Sequence, residues 1–169
     1  MSNVDVLPTL FESLGFSIPE NIEGISFKKF ISGETSIIPR KSAFAQYTSD
    51  MKRDNQSRTV ISGKFQLIRY FDAGRTVDYP INISPSRFAA HVEREKTTGT
   101  RPFFQLYNIE EDPYELENLG ESAEYSEIVK VLSKELMNWM ESVNDPLLKG
   151  PLSTPYYEKS IDDFKSTIH

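Results

Sequence analysis

The side chains that could do chemistry are few, and their spacing does not assemble them. Among 169 residues there are two histidines, His91 and His169, and no cysteine. The lack of cysteine removes thiolate nucleophiles, disulfides and sulfur-ligated metal sites. A Ser-His-Asp triad would have to be built on His91. The G-x-S-x-G turn that presents a serine to such a base is missing from the sequence. No two imidazoles fall one helical turn apart, as a metal pair on a helix needs, and no glycine-rich loop could cradle a phosphate. The densest carboxylate group, Glu110-Glu111-Asp112, lies where a strand runs into a helix. Side-chain oxygens at such a place satisfy turn and helix-start N–H groups, and that is the role expected of them. Asp162-Asp163 reads as solvated tail.

Charge narrows the partners. The formal net charge is −6, and the basic pairs Lys28-Lys29 and Lys52-Arg53 are too short to reverse it. Nucleic-acid binding needs clustered Lys and Arg against the phosphates, so that class is excluded and the pairs read as solvated faces. No window approaches the roughly 20 apolar residues of a membrane-spanning helix, so no membrane partner is expected. Polar residues follow Met1 directly, without the apolar core of a signal peptide. That start reads as the edge of a fragment. An apolar fraction of 38% with 12% aromatics is enough for one domain with a proper core.

The elements follow from periodicity. Asp5 to Leu14 is expected to be a helix, with Asp5 as cap, Pro8 in the first turn and Val6, Leu7, Leu10, Phe11 and Leu14 on one apolar face. Gly15 and Pro19 end it. Ser26 to Ile31 reads as a short second helix stopping at Gly33. Ser42–Thr48, Arg58–Gly63 and Lys64–Phe71 alternate as strands, with Gly63-Lys64 as the turn of an antiparallel hairpin. Pro102–Asn108 is a fourth strand. Asp72 to Arg101 is a long stretch of weak periodicity in which Ser84 or Ser86 starts a short helix; loops beyond about 15 residues are mostly functional. Glu124–Val143 is the strongest helix. Tyr125, Ile128, Val129, Leu132, Leu136, Trp139, Met140 and Val143 make a stripe that packs on a sheet, and Asn144-Asp145-Pro146 ends it. Residues 147–169 read as an extended tail.

Four sequence features stand in a fixed order. The first is Val4-Asp5-Val6-Leu7-Pro8-Thr9-Leu10 with Leu14-Gly15 and Pro19. The second is Glu23-Gly24-Ile25-Ser26-Phe27 with Phe30 and Gly33. The third is Arg58-Thr59-Val60 followed by Lys64-Phe65-Gln66-Leu67-Ile68. The fourth is Leu106-Tyr107-Asn108 with Asp112-Pro113, Glu115 and Asn118-Leu119. Together they resemble the C-terminal portion of the type I sulfatases over roughly residues 2–145. The family pattern there is V-D-L-L-P-T-L, then D-G-x-S, an R-x-V-R and K-x-x-L-I hairpin, and L-Y-D-L-x-x-D-P-x-E-x-x-N-L. Tyr79-Pro80-Ile81 and the helix end at Trp139 and Asn144-Asp145-Pro146 look more like the heparan N-sulfatase (sulfamidase) branch than like arylsulfatases.

The resemblance implies an α+β fold: a four-stranded antiparallel sheet packed on one long C-terminal helix, preceded by a helix left from a large α/β domain. Residues 1–40 would be the end of that large domain and a connector. Residues 41–146 would be the small domain with its 72–101 insertion, and 147–169 the tail. The family hydrolyses sulfate esters or sulfamates with a formylglycine, made from Cys or Ser in C/S-x-P-S/A-R, and with Ca²⁺ held by Asp and Asn. Both belong to the missing N-terminal part; no cofactor and no catalytic or metal residue is expected here. Ser84-Pro85-Ser86-Arg87 imitates the motif, but the nucleophile belongs two residues before the proline, where this chain has Ile83. The expected function is thus that of a fragment, non-catalytic by itself, that shapes the pocket for a sulfated, glycosaminoglycan-like sugar.

Gln46, Tyr47, Lys52, Arg53 and Arg58, and in the insertion Arg87 and His91, are the residues expected at that pocket. Cationic groups there suit an anionic glycan. The competing reading makes Arg58 a structural strand residue and the others solvated loop. The expected partners are the missing N-terminal domain, a sulfated saccharide, and a second copy docked through the N-terminal helix. The family suggests a periplasmic or secreted setting, lysosomal in animals. Two other readings remain open: a stand-alone module binding a sulfated glycan or a protein, and part of a related phosphodiesterase or phosphonate hydrolase.

Overall fold

The computed structural model describes residues 1–49, 54–71 and 102–153, together with 162, 165 and 166. Strands β1 (Ser42–Ser49), β2 (Asp54–Ser62), β3 (Phe65–Tyr70) and β4 (Phe104–Asn108) form one antiparallel sheet in the order β1-β2-β3-β4. Gly63-Lys64 is the two-residue turn of the β2–β3 hairpin, with Ser62 opposite Phe65. The expected hairpin is present; β2 begins earlier than expected, at Asp54.

Register explains the core. Phe44 lies opposite Val60, Val60 opposite Leu67, and Leu67 opposite Leu106, so one apolar row crosses all four strands. Alternation puts these side chains on a single face. Against that face lies helix α3 (Ser126–Ser142), led in by a 3₁₀ turn at Ala123–Tyr125. Its stripe supplies Leu132, Leu136 and Met140, which are buried with Val60, Leu67 and Leu106. Tyr125, Ile128, Val129 and Trp139 pack around them. This is the α+β arrangement expected from the sequence.

The end of α3 carries more structure than a stop signal. Asn144 takes a left-handed conformation (φ 51°). The N–H of Asn144 donates to the Glu141 carbonyl and that of Asp145 to the Met140 carbonyl, the pairing that closes a helix by turning the chain back on itself. The chain then re-enters the protein rather than leaving it. Pro146–Lys149 is a 3₁₀ turn with Leu147 buried in the core. Gln56 and Leu152 then exchange two hydrogen bonds, Nε2 to the Leu152 carbonyl at 2.9 Å and Leu152 N–H to Oε1 at 3.0 Å. Residues 147–152 are therefore docked onto β2, where an extended tail was expected.

The N-terminal segment folds around a carboxylate. A 3₁₀ turn at Asn3–Asp5 leads into α1 (Val6–Ser13), and α2 is a single turn, Lys28–Ile31. Asp5 is fully buried. It does not cap α1 through its side chain as expected. Its carboxylate instead accepts from the backbone N–H groups of Ser2 and Ile25 and pairs with the Arg40 guanidinium at 2.8 Å. Thr9 follows one turn later and accepts from the Phe27 N–H at 2.9 Å. The connector from Gly24 to Phe27 thus runs along the polar side of α1. The apolar side, Leu7, Leu10 and Leu14, points outward at 50%, 53% and 70% exposure.

Candidate functional site

The stretch from Leu106 to Leu119 resolves into a turn held by its own side chains. The Asn108 carbonyl accepts from the N–H groups of Glu111 and Asp112. Asp112 Oδ2 accepts from the Glu117 N–H at 2.8 Å. Asn118 Oδ1 accepts from Leu106 N–H at 3.0 Å and Gly120 N–H at 2.9 Å, so one carboxamide ties the loop to the strand it left. Glu115 sits at φ 55° and accepts from Gln66 Nε2. Of the three carboxylates expected to satisfy turn N–H groups, Asp112 does so, while Glu111 lies 3.6 Å from Lys64 Nζ. Beneath them Tyr107 is buried; burial first, then the neighbouring Tyr70, Glu115 and Asp112, pushes its phenol up to about 12.

Arg58 lies on the core face of β2 beside Val60 and is 2% exposed. Its Nε and Nη2 grip the two oxygens of Asp145 at 2.5 and 3.0 Å, and Nη1 donates to the carbonyls of Ser57 and Tyr47. Asp145 also accepts from the Leu147 N–H at 3.0 Å. Burial resists ionisation of this carboxyl, but the Arg58 donors, the Leu147 N–H and the Arg58 charge outweigh it and hold the group below its usual range. Asp5 is held low in the same manner, burial being opposed by the Ile25 and Ser2 N–H groups and by Arg40. The geometry of Arg58 is that of a structural strand residue, locking β2 to the turn after α3. In sequence Asp145 reads only as part of the helix end; its distance of 87 positions from Arg58 leaves no local pattern that shows the pair.

Gln46 sits opposite Arg58 in the register, at the exposed edge of the sheet. Tyr47 is next along β1, on the other face and 41% exposed. Lys52, Arg53, Arg87 and His91, the Ser84–Arg87 decoy and the long insertion lie outside the described residues.

One cleft stands out, between the N-terminal segment and the β1 edge. It has two adjoining lobes of about 360 and 510 Å³, which share Val4, Glu23, Phe44, Trp139 and Val143 as lining. Phe44 and Trp139 stack with centroids 4.9 Å apart and planes 1° from parallel. Gln46 lines the larger lobe and Arg40 the smaller. No group of three or more His, Cys, Asp or Glu residues that could hold a metal ion occurs among the described residues.

No protein-family model matches the chain. It is 27% identical over 155 residues to an ulvan-active sulfatase of Formosa agariphila, covering 89% of this chain and 31% of that protein. It is 29% identical over 157 residues to an arylsulfatase of Clostridium perfringens, covering 89% of this chain and 26% of that protein. The chain thus spans between a quarter and a third of the length of these relatives. Its fold is similar to that of a 2-O GAG sulfatase, at a TM-score of 0.63 and 18% identity over 89% of this chain and 27% of the other. It is also similar to a protein solved in complex with its substrate D-glucosamine-2-N,6-O-disulfate, at a TM-score of 0.60 and 23% identity over 85% of this chain and 25% of the other. In sequence, the chain is similar to part of these sulfatases, and in fold to part of the solved structures.

Proposed function

We propose that this chain serves a sulfatase that hydrolyses sulfate esters or sulfamates of sulfated, glycosaminoglycan-like sugars. It supplies none of the reacting groups and shapes the substrate pocket of the longer enzyme. The observation that carries the reading is the coverage: two relatives match nearly all of this chain with a minor part of themselves. The outward apolar side of α1 supports it, because such a face is normally covered. Residues 1–40 then belong with the large domain, 41–146 form the small one, and 147–169 are the tail. Ca²⁺ and formylglycine chemistry belongs upstream, and the compartment is periplasmic or secreted. Gln46 and Tyr47 stand at the pocket mouth. Lys52, Arg53, Arg87 and His91 are the residues proposed to meet the anionic glycan, whereas Arg58 serves the fold through its pair with Asp145. Within the family, the helix end at Trp139 and Asn144-Asp145-Pro146 favours the sulfamidase branch.

The test is sulfate release from an aryl sulfate and from N-sulfoglucosamine by the chain alone. No turnover is expected with or without Ca²⁺; Ca²⁺-dependent turnover would overturn the non-catalytic role. The exposed α1 face favours a second reading, a free-standing module that pairs with a second copy of itself. Light scattering reads it directly, since a monomer with α1 fully ordered speaks against that pairing.

A further inference from the structure

We propose that the cleft beside β1 binds an unsulfated, uncharged pyranose unit of the saccharide. The claim rests on the saccharide reading above and goes further, by naming which unit of the chain this portion holds. Three observations converge. The lining holds a stacked aromatic pair, Phe44 on Trp139, in which each ring has one face not taken by the other, and the positively polarised C–H groups of a pyranose pack on the negative face of such a ring. The two lobes, about 360 and 510 Å³, fall in the size range of small-molecule sites. The polar groups suit hydroxyls: Gln46 offers both a donor and acceptors, and Glu23 a carboxylate acceptor.

Charge decides against a sulfated occupant. Three charged side chains line the cleft, and two are already neutralised, Arg40 by Asp5 and Asp145 by Arg58. Glu23 has no ion-pair partner among the described residues, so the cleft presents one net negative charge. A sulfate group is always anionic and would meet that carboxylate, whereas a hydroxyl donates to it in a charge-assisted hydrogen bond. The lining comes from three separated parts of the chain, around Val4 and Glu23, around Phe44 and Gln46, and around Trp139 and Val143.

Trp139 is the single tryptophan, so fluorescence excited at the red edge reports this site alone. The probes are N,N′-diacetylchitobiose, which is uncharged, and the same disaccharide carrying a 6-sulfate. The uncharged probe is expected to give a saturable Trp139 response at millimolar concentration. Its sulfated form binds roughly threefold more weakly at low salt, the size of one solvent-exposed charge contact. Glu23→Gln closes that gap, and Gln46→Ala weakens the uncharged probe in a protein whose circular dichroism is unchanged. No saturable response, or sulfated probe bound as well or better, overturns the subsite. The second result would leave the sulfatase reading standing, and the sulfate-release assay reads that independently.

Discussion

Replacing Asp145 with alanine is expected to remove about 3–5 kcal/mol of stability. Arg58 and Asp145 are each 2% exposed, and the guanidinium gives two N–H donors to the carboxylate. A buried pair of this kind adds little over a well-packed apolar pair, but removing one partner strands the other as an uncompensated charge. The Leu147 N–H loses its acceptor as well, for about 1 kcal/mol more. A domain of this kind has about 5–15 kcal/mol in total, so the variant gives up a large share of it. With a urea slope of roughly 2 kcal/mol per molar, the denaturation midpoint falls by about 2 M at constant slope. Urea titration followed by Trp139 fluorescence measures it. Replacing both residues together, Arg58→Met with Asp145→Leu, should recover most of the loss. A midpoint shift under about 0.5 M for Asp145→Ala would refute the argument, because it would mean that the Arg58 charge is solvated after all.

Stability should also follow pH in a defined direction. Asp5 and Asp145 have folded pKa values below the usual carboxylate value, so their contribution is complete above about pH 4 and is lost as pH falls through the folded values. Tyr107 acts in the opposite sense: its folded value near 12 keeps the phenol neutral, and stability declines as pH rises beyond about 10. Thermal melts across this range should therefore be flat near neutrality and fall on both sides, with Asp145→Asn flattening the acid limb. At the acidic turn, Asn118→Ala loses the acceptor for Leu106 and Gly120 and should cost about 1–3 kcal/mol in a urea titration, while Asn118→Asp retains most of the stability.

Much of the fold was legible because it is periodic. The α3 stripe and the alternation in β2 and β3 are local patterns, and Leu132, Leu136, Val60 and Leu67 are buried where those patterns place them. The hairpin was readable from Gly63-Lys64, and Gly15 ends α1 with the N–H pairing of a glycine cap. What escaped were pairings between distant residues. Asp5 reads as a helix cap in sequence, but its partners Ile25 and Arg40 lie 20 and 35 positions away. Asp145 reads as a stop signal, although the same turn that ends α3 delivers it to Arg58. The cleft was not legible, because Glu23 and the Phe44–Trp139 stack come together only through the tertiary fold.

The polar side of α1 does the holding. Asp5 and Thr9 fasten the helix to the Ile25–Phe27 connector and to Arg40, so its orientation does not depend on Leu7, Leu10 or Leu14. Most of the ordering entropy of this segment is therefore spent before any cover arrives. A surface that closes over α1 meets a preorganised ridge and docks as a rigid body, without coupled folding. Association of this kind loses less free energy to immobilisation than the capture of a flexible peptide would.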